Sequence, residues 1–115
     1  MEEVKQGCLL IVIINKGFSD IVMEAARASG ARGGTIFTAR GTGNPNIEKF
    51  FGIPIQEQKE MIFIIVKPEI KEKCLKEIYK SAGLETKGQG IIFSINVGDM
   101  IGFNPVDEKQ IEKKE

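Results

Sequence analysis

The sequence predicts an α+β domain built on the split βαβ plan (βαββαβ): a four-stranded antiparallel sheet with two helices on one face. Three observations predict it. Four short runs rich in β-branched and aromatic residues are separated, in order, by a helical pattern, a long irregular stretch and a second helical pattern. Both helical patterns end on a glycine. The chain of 115 residues, 42% apolar, is the length of one domain.

Cys8-Leu9-Leu10-Ile11-Val12-Ile13-Ile14 is continuously apolar and lies between Gly7 and Asn15-Lys16-Gly17. A strand covered on one face would alternate, so this run predicts a strand buried on both. Ser19 is the expected N-cap of a helix over 19–29, with Asp20 adding negative charge to its first turn. Ile21, Val22, Ala25 and Ala28 recur at helical spacing, and Gly30 supplies the stop. Thr35 to Ala39 reads as the second strand. Residues 41–58 hold two prolines and no sustained period, which predicts a long loop. Its Ile47, Phe50, Phe51, Ile53 and Ile55 are too apolar for plain disorder and suit packing within an oligomer or docking of a partner.

Met61 to Val66 reads as a third strand, apolar throughout. Pro68 fits the first turn of a helix, where its missing N–H costs nothing. Ile70, Cys74, Leu75, Ile78, Tyr79 and Ala82 then form an apolar stripe with lysines and glutamates around it, and Gly83 closes the helix. Tyr79 falls at the edge of that stripe. Glu85 to Gly90 is a polar, glycine-rich loop, and Ile91 to Val97 a fourth strand. Asp99, beside Gly98, reads as a turn residue. The domain therefore spans 1–106, and residues 107–115 form a charged tail. The first and third strands are bulky and apolar at both parities, so the sheet face away from the helices is also greasy. That predicts an oligomer in which sheet faces cover one another.

Charge and composition narrow the chemistry. Sixteen basic residues balance sixteen acidic ones, which gives no electrostatic footprint for nucleic acid. No apolar run is long enough for membrane insertion, and the acidic N-terminus is unlike a secretory signal. Cys8 and Cys74 sit in apolar patterns and read as reduced core residues, the expectation for a cytoplasmic protein. The absence of histidine removes Ser-His and Cys-His catalysis and every histidine-bearing zinc site, and although Asn96 lies on the fourth strand no loop has the arginine-bearing phosphate pattern of an acylphosphatase, so no enzyme and no metal site is expected. A metal-binding trimer of similar fold, of the divalent-cation tolerance type, is the alternative; it would need clustered ligands.

The candidate ligand residues flank the second strand and the turn before the fourth. GARGGTIFTARGTG, residues 30–43, carries five glycines and two arginines. Gly41-Thr42-Gly43 and Gly88-Gln89-Gly90 present backbone N–H groups unhindered by Cβ, which suits an anionic ligand. Arg40 is a candidate phosphate or carboxylate ligand through bidentate guanidinium contacts, and Lys87 a second cation. Arg32 reads as a solvated arginine at a strand end.

GARGGTIFTARGTG entering a long loop, KEMIFIIVKPE leading into the second helix, and KGQGIIFSINV together resemble the P-II signal-transduction proteins, over about residues 8–103. The resemblance implies a homotrimer of ferredoxin-like subunits that binds an adenine nucleotide (AMP, ADP or ATP) as an effector, with no covalent cofactor. Binding would occur in the clefts between subunits. Residues 41–58 would contact a target transporter or metabolic enzyme in the regulation of nitrogen and carbon use. It implies that Thr35 lies near the adenine, Gly41, Thr42 and Gly43 at the loop base, and Gly88, Gln89 and Gly90 in the second phosphate-facing loop. The family carries a basic residue where this chain has Ile91, and arginines where it has Gly102 and Asn104. Each charge-assisted contact is worth roughly 1.5–3 kcal/mol, so the resemblance implies AMP, ADP or a smaller anion in preference to ATP.

Overall fold

The computed structural model describes residues 4–42, 57–86 and 90–105. Its elements run β1 (Lys5–Asn15), α1 (Ser19–Ala28), β2 (Thr35–Gly41), β3 (Glu57–Val66), a 3-10 turn (Pro68–Ile70), α2 (Lys71–Ala82) and β4 (Ile91–Met100). The strands form one antiparallel sheet in the order β2-β3-β1-β4. The predicted split βαβ architecture is the observed one.

β1 occupies the centre of the sheet and explains its own composition. Cys8, Leu10, Val12 and Ile14 point to the helices and are buried. Ile62, Ile64 and Val66 of β3 lie beside them. From above, α1 contributes Val22, Met23 and Ala26, and α2 contributes Cys74, Ile78 and Ala82. Side chains of opposite parity line the other face, and no described helix covers it. Ile11 is nevertheless buried there, because Phe63 and Phe93 oppose it from the two neighbouring strands. Phe37 leans on Phe63 with ring centroids 4.9 Å apart in a tilted pair. Around this centre Ile65 is 39% exposed, Ile91 57%, Phe93 39% and Ile95 48%. The greasy second face predicted from the sequence is present.

Several local expectations shift. Ser19 is not the N-cap: Phe18 holds that position without a side-chain cap bond, and Ser19 is the first helical residue. Its buried Oγ has no partner among the described residues. The buried stripe of α1 runs through Ser19, Val22, Met23 and Ala26, whereas Ile21 and Ala28 are exposed. Gly30 ends the helix as expected, with φ 111°. Tyr79 is exposed rather than at a core edge. The carboxylate of Glu85 accepts its hydroxyl hydrogen bond and pushes its ionisation above the ordinary tyrosine range.

All four strands are longer than predicted. Arg40 pairs with Gln58 and Gly41 with Glu57, so both ends of the expected 41–58 loop belong to the β2–β3 ladder. β4 continues to Met100, which places Asp99 in a strand instead of a turn. Ladder hydrogen bonds satisfy backbone groups whatever the side chain, so pairing overrides local preference here. The interior of the expected loop, 43–56, and the tail 107–115 lie outside the described residues.

Gly83 takes the left-handed conformation (φ 60°, ψ 55°) that closes α2, and its N–H donates to the Tyr79 carbonyl. Both cysteines are free and buried; desolvation pushes the Cys74 thiol above its ordinary ionisation range, against the opposing pulls of Ser29 and Lys73. Leu10 has no exposed surface. Leu10→Ala should therefore cost about 2–5 kcal/mol in urea denaturation; a loss well under 1 kcal/mol would show that the helices do not seal this face.

Candidate functional site

Antiparallel pairing gathers several chain segments at each end of the sheet. At one end β2 finishes with Gly41, β3 begins with Glu57, β1 finishes with Asn15 and β4 begins with Ile91. Arg40, Gly41, Thr42 and Gly90 lie here. The other predicted ligand residues of this region, Gly43, Lys87, Gly88 and Gln89, fall outside the described residues. Strand order puts Gly41 and Gly90 on opposite edges. Three strand spacings separate those edges, roughly 14 Å.

Gly90 is held by its surroundings. Its N–H donates to the Leu84 carbonyl at 2.8 Å. A Cβ there would collide with the Ile13 carbonyl oxygen and come within 3.1 Å of Ile14 Cα. The glycine is required for the close approach of this turn to β1, whatever ligand it also meets. Gly41 is less confined: a Cβ would come within 3.0 Å of the flexible Lys59 side chain.

Lys59 was not among the predicted site residues. Its Nζ donates to Asn15 Oδ1 at 2.6 Å and lies 3.9 Å from Glu57 Oε1. Both charged side chains are largely covered, 15% and 17% exposed. Lys59 shares the parity of Met61 and Phe63, so it stands on the open sheet face at the foot of Gly41. Only a strand extended two residues before Met61 makes that parity visible in the sequence. Arg40 has the other parity, with Thr38, and is exposed on the helix side of the β2 edge. Beside them Glu60 Oε1 accepts the Gly17 N–H at 3.0 Å and fixes the β1–α1 turn.

Thr35 lies at the opposite end of β2, six residues from Gly41, a span of roughly 20 Å. It lines a concavity of about 810 Å³ on the open face. Leu9, Phe63 and Ile65 form its floor, Phe37 one side, and Met100 with Phe103 the other. The segment after β4 makes this wall by turning across the sheet end, where Gly102 has φ 94°. Two cations tie that strap down: Lys5 Nζ donates to the Phe103 carbonyl (3.1 Å) and Arg32 Nη1 to the Asn104 carbonyl (2.9 Å). Gly7 leaves room for Met100, whose Cε would be 2.7 Å from a Cβ, and Gly34 for the Phe63 carbonyl at 2.9 Å. Arg32, expected to be solvated, lines the concavity and holds the strap.

The model of the nitrogen regulatory protein P-II family matches residues 8–105. The chain belongs to the P-II family. Members of the P-II family are signalling regulators rather than enzymes. Among solved structures, a PII-like signalling protein from Thermus thermophilus aligns with TM-score 0.64 at 20% identity, covering 83% of this chain and 89% of that one. CPII, a nitrogen regulatory PII-like protein from Thiomonas intermedia, was solved bound to ADP, AMP and bicarbonate. It aligns with TM-score 0.63 at 16% identity over 90% of this chain and 100% of that one. The apo form of CPII gives 0.65 at 15% identity over 88% and 98%. At these identities the likeness is one of P-II fold. No curated protein matches the chain.

Among the described residues of this P-II protein, no three His, Cys, Asp or Glu side chains group as metal ligands. No described helix is long and apolar enough to cross a membrane. Gly90→Ala should destabilise the fold by roughly 1–3 kcal/mol, because the Ile13 backbone must move. Gly33→Ala, where nothing lies within 4 Å of the new Cβ, should change it by under about 0.5 kcal/mol. Equal effects in chemical denaturation would show that Gly90 is not held against β1.

Proposed function

We propose that the chain is a P-II-like regulatory protein of nitrogen and carbon metabolism, acting in the cytoplasm as a homotrimer. An adenine nucleotide or small anion binds in the clefts between subunits. Residues 41–58 contact a target transporter or enzyme. The observation that carries this reading is the open sheet face, where Ile65, Ile91, Phe93 and Ile95 stand exposed around a central strand that is apolar on both sides. Contiguous apolar surface of this kind marks an interface. Identical copies are its natural cover, because the face is present in each.

Site geometry supports the same reading. Thr35 is separated from Gly41 by the length of β2, and Gly41 from Gly90 by the width of the sheet. No single copy presents all three to one small ligand. A seam between the β2 edge of one copy and the β4 edge of the next sets Gly90 of one copy beside β2 of the other, along which an extended nucleotide can lie. Thr35 and its apolar concavity suit the adenine ring, while Arg40, Gly41, Thr42, Gly43, Lys87, Gly88, Gln89 and Gly90 supply N–H groups and cations for phosphate. The ADP, AMP and bicarbonate bound by CPII favour these as first ligands to try. With Ile91, Gly102 and Asn104 uncharged, AMP and ADP should bind better than ATP. A ligand then shifts residues 41–58 only by as much as it favours one of their states over another.

Titration calorimetry with AMP, ADP, ATP and bicarbonate tests the proposal. Saturable heat with AMP or ADP is expected, and no heat with any of the four would remove the ligand-gated reading. Phe93→Asp puts a charge on the face that copies must cover, at a side chain already 39% exposed in the single copy. That variant should stay folded and lose the heat; undiminished binding would show that the site is complete within one subunit.

A further inference from the structure

We propose that the groove between α2 and the start of β4 is a docking site for another protein, and that the partner presents an acidic amphipathic helix. The inference stands on this surface alone and is independent of the nucleotide reading. Leu75, Tyr79 and Ile92 make an apolar floor, Lys76 and Lys80 line the rim, and the groove offers about 480 Å³. Ile92 stands opposite Val12, which is buried beneath the helices, so the groove opens on the helix side of the sheet. The apolar face assigned above to contact between copies is the other one.

The sequence of α2 makes this groove. Its buried stripe of Cys74, Ile78 and Ala82 lies on the sheet. Leu75 and Tyr79 follow one position later and form a second stripe along the edge of the first. β4 is the edge strand, and beyond Ile92 its helix-side residues Ser94 and Asn96 are exposed, so no described element closes that flank. Tyr79 is 43% exposed. Glu85 also meets the floor, but its carboxylate accepts the Tyr79 hydroxyl and holds the ring in place.

Charge selects the partner. Lys76 and Lys80 are exposed, and among the described residues neither makes an ion pair. One helical turn apart, their Cβ atoms are roughly 6 Å from each other. A partner helix repeats that spacing: carboxylates four residues apart meet both ammonium groups while an apolar side chain beside them enters the floor. The glutamates of α2 and the neutral total charge confine the positive field to this pair, which does not suit a nucleic-acid backbone or a lipid surface.

Fluorescence anisotropy tests the proposal with a labelled helical peptide of about 15 residues that carries a leucine stripe flanked by glutamates. Its controls are the same composition scrambled and the same pattern with lysine for glutamate. Wild type should bind the acidic amphipathic peptide at least about tenfold more tightly than either control. The double variant Lys76→Glu, Lys80→Glu changes two exposed side chains, should keep its fold, and should lose at least about tenfold in affinity and prefer the lysine peptide. Tyr79→Ser, which removes part of the floor, should weaken binding about fivefold or more. Undiminished binding by the double variant, equal binding of the scrambled peptide, or no binding by wild type at about 1 mM peptide would overturn the proposal. A change in assembly mass in the double variant would overturn it as well, because the groove would then belong to a contact between copies.

Discussion

The stretch from Cys8 to Ile14 is apolar at every position, yet the two described helices lie on one side of the sheet and seal one parity of it. On that side Leu10, Val12 and Ile14 lose all contact with solvent. On the other, Ile11 is shielded by its neighbours Phe63 and Phe93, and a ring of isoleucines around them stays in contact with water. Fully burying one such side chain is worth roughly 1.5–3 kcal/mol. Several of them together form a driving force that a single chain of this length cannot use, since small domains bury a limited share of their surface. In the proposed function, association of copies answers this imbalance, and the ligand clefts lie between the associated copies.

The same sheet explains why the candidate ligand residues are dispersed. Antiparallel pairing sends Thr35 and the strap to one end, and Arg40, Gly41 and Gly90 to the other. Each end is stiffened by contacts within the subunit. Gly90 is wedged against Ile13 and Ile14, Lys59 is held by Asn15 and Glu57, and the strap is tied by Lys5 and Arg32. Preorganisation of this kind leaves less ordering cost for a ligand that arrives at a seam between copies. A site divided between subunits also links ligand binding to assembly, because anything that binds only the assembled form stabilises it.

Much of this was legible in the sequence because it rests on local signals. The β-branched run from Cys8, the stripe from Ile70 to Ala82 and the glycines at 30 and 83 each declare their element within a few residues. Features set by distant pairing were not legible. The ends of β2 and β3 extend because Arg40 and Gly41 find Gln58 and Glu57, a match that no window of sequence contains. Lys59 and Arg32 were missed for the same reason. The parity of Lys59 depends on that extension, and Arg32 acquires its role only when residue 104 crosses the sheet end to meet it. Ser19 has the chemistry of a cap but lies one residue inside the helix on its buried side, where packing decides.

Assembly mass is the most direct measurement, taken by sedimentation or native mass spectrometry on the purified protein at micromolar concentration. Particles of three copies are predicted, held by the uncovered face of the sheet. A stable single copy under those conditions would contradict the central claim, because the isoleucines and phenylalanines of that face would then tolerate water without a partner.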